Sequence, residues 1–133
     1  MTNSNNSFRF AKHQHLKSQK DFAKVYAARC RVYNEQITVF CVKNSLGFSR
    51  LGLSVSKKVG NSPTRNRWKR LIREAFRLQQ HQLPIGFDFV VIPKPLISIP
   101  DFETIQRSVL KLFIWNAKKY RKRFPENLEN VIE

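Results

Sequence analysis

Acidic residues are scarce in this sequence. Nine Asp and Glu stand against 25 Lys and Arg, which leaves a formal net charge of +16 over 133 residues. An enzyme that holds two metal ions in its own fold needs clustered carboxylates, and no such pair lies within a predicted strand or helix. Asp101 and Glu103 are two residues apart, but they stand at a predicted helix start, where capping is the expected role. We therefore expect no metal-dependent catalytic site built from protein side chains.

Cysteine and histidine are also rare. Cys30 and Cys41 form no CxxC motif, so we expect two reduced, inert thiols, with a disulfide or a metal pair as the less favoured alternative. His13 and His15 form an H-x-H in a polar segment, and His81 is isolated. Solvated imidazoles are expected for all three, with metal binding as the minor alternative.

Long apolar runs are missing as well. No segment approaches the roughly 20 residues that a bilayer-spanning helix needs, and the nearest, residues 89–100, contains three prolines and Lys94. The first 14 residues are polar, so a secretory signal is not expected. No GxGxxG, P-loop or GxSxG motif occurs. These absences predict a cytoplasmic protein that does not bind membranes.

What the chain does have is a globular composition, 41% hydrophobic and 12% aromatic, with a large positive charge. A compact chain so charged repels itself, which favours a polyanionic partner. Residues 1–15 are predicted to form a flexible arm, residues 16–124 a single domain, and residues 125–133 a frayed acidic tail. Nucleic acid, an anionic membrane and an acidic protein all fit this charge at this point.

Hydrophobic periodicity and capping signals predict an α-β-β-(β)-α-β-α order. The predicted elements are a helix capped by Ser18, strands at residues 35–43, 50–58 and 87–92, a helix over residues 63–81 that is capped by Ser62, and a last helix capped by Asp101 with an apolar stripe through Val109, Leu112, Phe113 and Trp115. The fold class is α+β, a two-layer sandwich in which helices cover one face of a small, mainly antiparallel sheet.

The segment at residues 57–77 reads KKVGNSPTRNRWKRLIREAFR and carries eight Lys or Arg against one acid, Glu74. Its apolar residues, Trp68, Leu71, Ile72, Ala75 and Phe76, share one helical face, so the basic residues fall on the flanks and the opposite side. Glu74 can neutralise only one neighbour, Arg70 or Arg77. Arginine forks and the free amides at the helix start both suit phosphate, which favours a phosphate-binding surface over a merely solvated face.

Two other partners fit less well, and one alternative function fits equally well. A membrane-surface helix would need its apolar face free for lipid, whereas this face is needed by the core. A sequence-specific DNA reader would carry more side chains suited to base edges and a dimerisation heptad. A ribosome-associated or other structured-RNA-binding module fits the charge and the layout equally well, so it stays an alternative at this point.

The segment RLGLSVSKKVGNSPTRNRWKRLIREAFR resembles the signature of the bacterial ribonuclease P protein component. The resemblance rests on Arg65-Asn66-Arg67, followed by Lys69-Arg70 and Arg73-Glu74. SQKDFAKVY is similar to the family's first helix, EQITVFCV to its first long strand and FDFVVIPKP to its last, so the resemblance covers roughly residues 16–115. Two departures are Ser62-Pro63-Thr64, where the family has small or branched apolar residues, and Tyr26 in place of a common phenylalanine.

The resemblance implies a protein subunit that binds a large catalytic RNA and the 5′ leader of precursor tRNA, as a monomer in a 1:1 ribonucleoprotein. The RNA would carry the phosphodiester hydrolysis with Mg²⁺, so the protein itself would hold no catalytic residue, metal or cofactor. The implied fold is similar to domain 2 of ribosomal protein S5, with a left-handed β-α-β crossover. Parallel β-α-β crossovers are right-handed in about 98% of cases. The left-handed exception is therefore expected from the resemblance alone.

Two RNA surfaces follow from the resemblance. The first would contact the catalytic RNA through Lys57, Lys58, Arg65, Asn66, Arg67, Lys69, Arg70, Arg73 and Arg77. The second would hold the single-stranded leader on the sheet face away from the two long helices, through Phe22, Tyr26, Phe40, Ser54 and Ser56, beside Thr38, Val42 and Gly52. Aromatic rings there would stack on bases without reading sequence. An ordinary core role stays the alternative for these rings, most of all for Phe22.

Overall fold

The computed structural model describes residues 9–96 and 98–126, and within them the elements run α-β-β-β-α-β-α. The helices are α1 (Gln19–Ala27), α2 (Ser62–Gln79) and α3 (Phe102–Arg123), the strands are β1 (Arg31–Tyr33), β2 (Ile37–Lys43), β3 (Arg50–Leu53) and β4 (Phe87–Pro93), and two short 3-10 turns lie at Lys12–Gln14 and Lys57–Val59. Three strands precede α2, so the optional strand of the predicted order is present, and β1 is the strand that the sequence analysis did not locate. Every helix in the described part of the chain is too short or too polar to span a bilayer.

The four strands form one sheet in the order β1-β2-β4-β3. β2 is antiparallel to both β1 and β4, whereas β3 runs parallel to β4, with Leu51 opposite Phe89 and Gly52 opposite Val90. The mainly antiparallel sheet and the parallel β3–α2–β4 crossover are therefore confirmed. The left hand of that crossover stays an expectation from the resemblance.

Side-chain caps begin the helices. The Ser18 hydroxyl accepts the amide N–H of Asp21 at 3.0 Å, and the Asp101 carboxylate accepts that of Thr104 at 2.8 Å, both as predicted. The predicted cap of α2 is wrong, because Asn61, not Ser62, accepts the N–H of Thr64 at 3.1 Å. The Asn61 side chain reaches the third helical amide, and the helix therefore starts one residue earlier than Pro63.

One face of the sheet packs on α2 and α3, which confirms the two-layer α+β fold. Alternate residues of β2 and β4 enter this core with the inner faces of both helices: Ile37, Val39, Cys41, Phe87, Phe89, Val91, Trp68, Ile72, Phe76, Ile105, Val109, Leu112 and Phe113. Phe113 stacks on Phe89 with ring centroids 4.1 Å apart and lies 6.3 Å from Phe76. α1 lies on the opposite face, where Leu16, Val25 and Val90 form a smaller buried cluster.

β3 is shorter than the alternation at residues 50–58 predicts, because it ends at Leu53. The Ser54 amide still donates to Val91 O at 3.0 Å, and the chain then leaves the sheet for the 3-10 turn at Lys57–Val59. Gly60 follows with φ +151°, and a β-carbon there would stand 2.8 Å from Thr64 Cγ2. The absent side chain thus lets the backbone turn sharply into α2.

Residues 9–15 are attached to the domain, which corrects the predicted flexible arm for the part that the structure describes. Phe10 stacks on His15 at 3.9 Å and lies 5.2 Å from the Phe76 ring. The Leu16 amide donates to Leu51 O at 2.8 Å, which joins this segment to the edge of β3. The apolar Phe10 ring gains contacts with the core helix by this packing. Residues 1–8 lie outside the described residues, as does the predicted tail from residue 127 onward.

Cys30 and Cys41 are free thiols, as predicted, and both are fully buried. The Cys30 thiol donates to the Asn116 side-chain oxygen at 3.4 Å. Burial, reinforced by the neighbouring Cys30, strongly raises the pKa of the Cys41 thiol. Since the thiolate is the reactive form, this environment makes Cys41 a poor nucleophile in the folded protein.

Candidate nucleic-acid interface

The amphipathic division of α2 is the basis of the first surface. Trp68, Ile72 and Phe76 are almost completely buried on its inner face. Gln79, which the apolar pattern does not include, is buried with them and donates to Ala75 O and Gln106 O. This packing fixes the rotation of α2 about its axis, so the basic residues on the other side are held facing outward.

A groove of about 450 Å³ runs along the outer face of α2. It is lined by Phe10, Asn66, Lys69, Arg70, Arg73, Glu74 and Arg77. The structure therefore brings five of the predicted RNA-binding residues together with Glu74, because positions three and four apart share a helical face. Phe10 forms one wall of this groove, which the sequence analysis did not predict. An aromatic residue in an otherwise polar segment was the available signal.

Glu74 pairs with Arg77, one of its two predicted partners. The Arg77 guanidinium donates twice, at 3.1 Å to Oε1 and at 2.5 Å to Oε2. This hydrogen bond lowers the pKa of Glu74 and raises that of Arg77. Among the described residues, no carboxylate forms an ion pair with Arg67, Lys69, Arg70 or Arg73. Most of the positive charge on this face is therefore available to an external anion.

Arg65 lies apart from this groove. Its Nε donates to Gly60 O at 3.2 Å and its Nη2 to the Ser62 hydroxyl at 3.1 Å, so the side chain folds back along the start of α2. Arg67 is exposed on a different side of the helix from Arg65 and Lys69, because residues two apart in a helix do not face each other. Lys57 and Lys58 are exposed on the preceding 3-10 turn. The predicted set is thus spread over the groove, the start of α2 and the turn before it.

The second predicted surface lies on the sheet face that carries α1. Phe40 contacts Tyr26 edge to face, with ring centroids 5.1 Å apart, and Tyr26 lies 6.4 Å from Phe22. All three rings are half-buried. Their placement opposite the α2–α3 layer is as predicted, and the structure brings these three residues together.

The small residues beside these rings form a less open trough than expected. Gly52 is buried beneath Phe22, because a β-carbon at residue 52 would stand only 2.7 Å from Phe22 Cζ. Ser54 is half-buried and Ser56 is exposed, both beyond the end of β3. The floor of any cleft on this face therefore lies at the rings and Ser54, not at Gly52.

An ionic network that sequence reasoning missed borders this second surface. Arg50 donates to both carboxylate oxygens of Asp88, at 2.9 and 2.7 Å, and Asp21 of α1 lies 3.4 Å away. The Asn44 amide also donates to Asp88, at 2.8 Å. The hydrogen bond to Asp88 raises the pKa of Arg50. The network joins β3, β4 and α1. The signal for it in the sequence was a single charged residue in each of two otherwise apolar strands.

The histidines and acids gather into no metal site within the described residues, where no group of three or more His, Cys, Asp or Glu could hold an ion. His13 contacts the Phe48 ring edge to face at 4.8 Å, and His15 stacks on Phe10. Burial, together with the positive charges of Arg73 and Lys17, lowers the pKa of His15. His13 and His15 therefore make aromatic contacts rather than the purely solvated roles expected of them.

Comparison with known proteins identifies the family. The family model described as Ribonuclease P matches residues 10–115, which includes the attached segment before residue 16. The ribonuclease P protein component of Thermoanaerobacter sp. (strain X514) is 39% identical over 99 residues, covering 74% of this chain and 85% of that protein. That of Clostridioides difficile (strain 630) is 40% identical over 98 residues, covering 73% and 86%.

Solved structures give the same result. The RNase P protein from Thermotoga maritima is similar with a TM-score of 0.69 and 36% identity, covering 74% of this chain and 94% of that one. The Staphylococcus aureus RNase P protein is similar with a TM-score of 0.69 and 32% identity, covering 80% and 97%. Because the family model matches most of this chain and these relatives agree with it, the chain belongs to the ribonuclease P protein component family.

Proposed function

We propose that the protein binds the catalytic RNA of ribonuclease P through the outer face of α2, and that this complex matures the 5′ ends of tRNAs. The observation that carries the proposal is the row of basic side chains on a helix whose inner face is locked into the core. Arg70 and Arg73 line the groove with no carboxylate partner among the described residues. Guanidinium groups held this way suit bidentate contacts to phosphate oxygens.

The helix start adds a second group of contacts. Lys57 and Lys58 stand on the turn before α2, and Arg65 covers the first helical turn. Asn61 already occupies the Thr64 amide, so phosphate recognition there would depend on side chains more than on free backbone N–H groups. The RNA would follow the helix from this turn along the groove toward Arg77.

The opposite face of the sheet would hold the 5′ leader of precursor tRNA. Tyr26 and Phe40 are half-buried rings whose exposed parts can stack on unpaired bases, and stacking is tolerant of sequence. Ser54 and Ser56 would offer hydroxyl groups to the leader backbone. Two RNA ligands on opposite faces of one thin sheet would position the leader relative to the catalytic RNA.

The bond-breaking step belongs to the RNA in this proposal, with Mg²⁺ ions held by RNA and none by the protein. Most of the described carboxylates have other partners, since Asp21 and Asp88 contact Arg50, Glu74 contacts Arg77 and Asp101 caps α3. A monomer in a 1:1 complex suits a chain with two RNA surfaces. We also propose a cytoplasmic location, where precursor tRNA is processed in bacteria.

The salt dependence of RNA binding tests the α2 surface. Each phosphate contact contributes a log-log slope of about −0.7 to −0.9 against salt concentration. Arg67→Ala or Arg70→Ala should flatten the slope by about that amount without unfolding the protein, because neither side chain has an ionic partner in the described residues. Lys24→Ala, which removes an exposed charge from α1 on the opposite face of the sheet, is the matched control and should leave the slope unchanged. Equal slopes in all variants would remove α2 from the interface.

The identity of the RNA tests the assignment itself. The protein, purified from its own cells, should carry one RNA of several hundred nucleotides that cleaves precursor tRNA in high magnesium. Adding the protein should lower the magnesium requirement of that RNA, and the protein alone should cleave nothing. Recovery of ribosomal RNA instead, or robust cleavage by RNA-free protein, would refute the proposed function.

A further inference from the structure

Trp115 is on the surface, although the apolar stripe of α3 predicts it in the core. Val109, Leu112 and Phe113 of that stripe are buried, whereas half of Trp115 is exposed. The other tryptophan, Trp68, is 1% exposed. At 100° per residue, Trp115 lies at the edge of the inner face of α3 and turns toward solvent. The core therefore does not account for the exposed half of this ring.

Basic side chains surround Trp115. They line a shallow groove of about 670 Å³ on the outer face of α3, formed by Trp115, Lys118, Lys119, Arg121 and Lys122. None of these four cations pairs with a carboxylate of the described residues. Lys119 donates to Arg31 O at 2.9 Å, and the Arg121 guanidinium lies 5.2 Å from the Phe87 ring. Lys119 and Arg121 thus contact other parts of the protein, whereas Lys118 and Lys122 are exposed in the groove that Trp115 lines.

Helix stability explains only part of this arrangement. Cations in the last turn of a helix interact favourably with its dipole, and this applies to Arg121, Lys122 and Arg123. The dipole effect falls off within that turn, and Trp115 and Lys118 lie before it. A large exposed ring between lysines is the combination found where proteins stack on an unpaired base and hold the phosphates on either side.

We propose that the outer face of α3 binds an unpaired segment of the ribonuclease P catalytic RNA, with one base stacked on Trp115 and the adjoining phosphates on Lys118 and Lys122. The choice of that RNA rests on the proposed function. α3 shares its layer with α2, on the sheet face opposite α1. A ligand bound to α3 therefore lies on the same side of the protein as the catalytic RNA bound to α2, and on the opposite side from the leader.

Two other ligands suit this surface less well. In duplex RNA the bases are stacked on each other, and none is free to cover an indole. A membrane-bound helix needs a continuous apolar face toward lipid, but Ile105, Val109 and Leu112 of α3 are buried against the sheet. Outside are the Trp115 ring and its four cations, with Ile114 and Phe124 as the exposed apolar neighbours. These are too few apolar residues for a lipid-facing stripe, whereas a ring among cations is complementary to a single strand.

Tryptophan fluorescence of the full-length chain reports on the contact directly. In the free protein acrylamide should quench Trp115 and not the buried Trp68. Saturation with the catalytic RNA should reduce quenching to the level of Trp115→Phe, in which only Trp68 emits. Unchanged quenching with bound RNA would overturn the proposal, and so would protection by phosphatidylglycerol vesicles but not by RNA.

Affinity for the catalytic RNA provides the second test. Trp115→Ala should weaken binding on the order of tenfold, the loss of one stacked base. Trp115→Phe is the matched control, and it should stay within about threefold of the wild type because a ring remains. Lys118→Ala should flatten the salt slope by about 0.7, as expected for one phosphate of a single strand.

The outcomes separate this surface from the α2 surface. Weakened binding in Arg67→Ala with wild-type binding in Trp115→Ala would overturn the α3 contact and leave the proposed function intact. A wild-type chain that fails to bind the catalytic RNA at all would refute the proposed function, and the α3 assignment with it. Equal binding losses in Trp115→Ala and Trp115→Phe would also contradict stacking, since both changes would then act only by disturbing the fold.

Discussion

Phe22 lies directly over Gly52. A β-carbon at residue 52 would stand 2.7 Å from Phe22 Cζ, closer than real β-carbons approach, and 3.0 Å from Leu16 Cδ2, which is a tight contact. The missing side chain of Gly52 therefore permits the close approach of α1 to the sheet. Because Phe22 and Tyr26 share α1, this contact also sets the position of the Tyr26 ring against Phe40.

Gly52→Ala should destabilise the fold by about 1–3 kcal/mol, since the added methyl group overpacks a filled site. Phe22 meets the new atom with the far end of its side chain, so a smaller residue there should relieve part of the strain. In urea unfolding, Phe22→Leu combined with Gly52→Ala should cost less than the sum of the two single changes. Strictly additive losses would show that the two residues do not restrain each other.

The buried pair between Arg50 and Asp88 should matter far more to stability than the surface pair on α2. Asp88→Asn removes the charge that faces a largely buried guanidinium, and a loss of about 3 kcal/mol is expected. Glu74→Gln is the control, because its pair with Arg77 is solvent-accessible and should contribute little. The double change Arg50→Met with Asp88→Leu should recover stability relative to Asp88→Asn. A comparable loss in both single variants would contradict the distinction.

Phe40→Leu should affect only substrates that carry a leader. Removal of one stacking ring should weaken binding of precursor tRNA by about 1–3 kcal/mol, while affinity for mature tRNA and for the catalytic RNA is unchanged. Phe40→Tyr keeps a ring and should bind the leader like the wild type. Binding assays with and without a 5′ leader decide the matter. An equal loss with the leaderless substrate would place Phe40 in the core alone.

His15 should titrate below its ordinary pKa of 6.5, first because it is partly buried and then because Arg73 and Lys17 repel its proton. The unfolded chain then binds more protons than the folded one around pH 6. Stability from this group is therefore complete above 6.5 and is lost as the pH falls through the lowered pKa. An NMR titration should show the shift, which Arg73→Ala should reduce and Arg107→Ala should not. A midpoint at or above 6.5 would contradict the packing of His15 on Phe10.

Short-range signals in the sequence predicted much of the fold. The caps at Ser18 and Asp101, the inner stripe of α2 and the two faces of β2 all depend on residues a few positions apart, so they can be recognised without tertiary information. The basic row on the outer face of α2 follows from the same helical period. Where several cap residues adjoin one another, as in Asn61-Ser62, the local pattern does not decide which one is used.

Contacts between distant residues account for what was missed. Phe10 becomes a wall of the α2 groove only because its segment folds onto Phe76, 66 residues later in the chain. Arg65 points away from the groove because Gly60 O is within reach of its guanidinium. Trp115 fits the apolar period of α3, yet the space on the inner face is already filled by Leu112 and Phe113.

The amino-acid sequence by itself determined the excess of positive charge, the helices and strands, and the sorting of that charge onto one side of α2, since each depends on composition or on spacing within a single element. Only the tertiary structure decided which strands are neighbours, that Arg50 meets Asp88, and that Trp115 lies outside the core. The physical reason is that close packing and ion pairing join residues far apart in the chain, and their partners are set by the way the layers fit together.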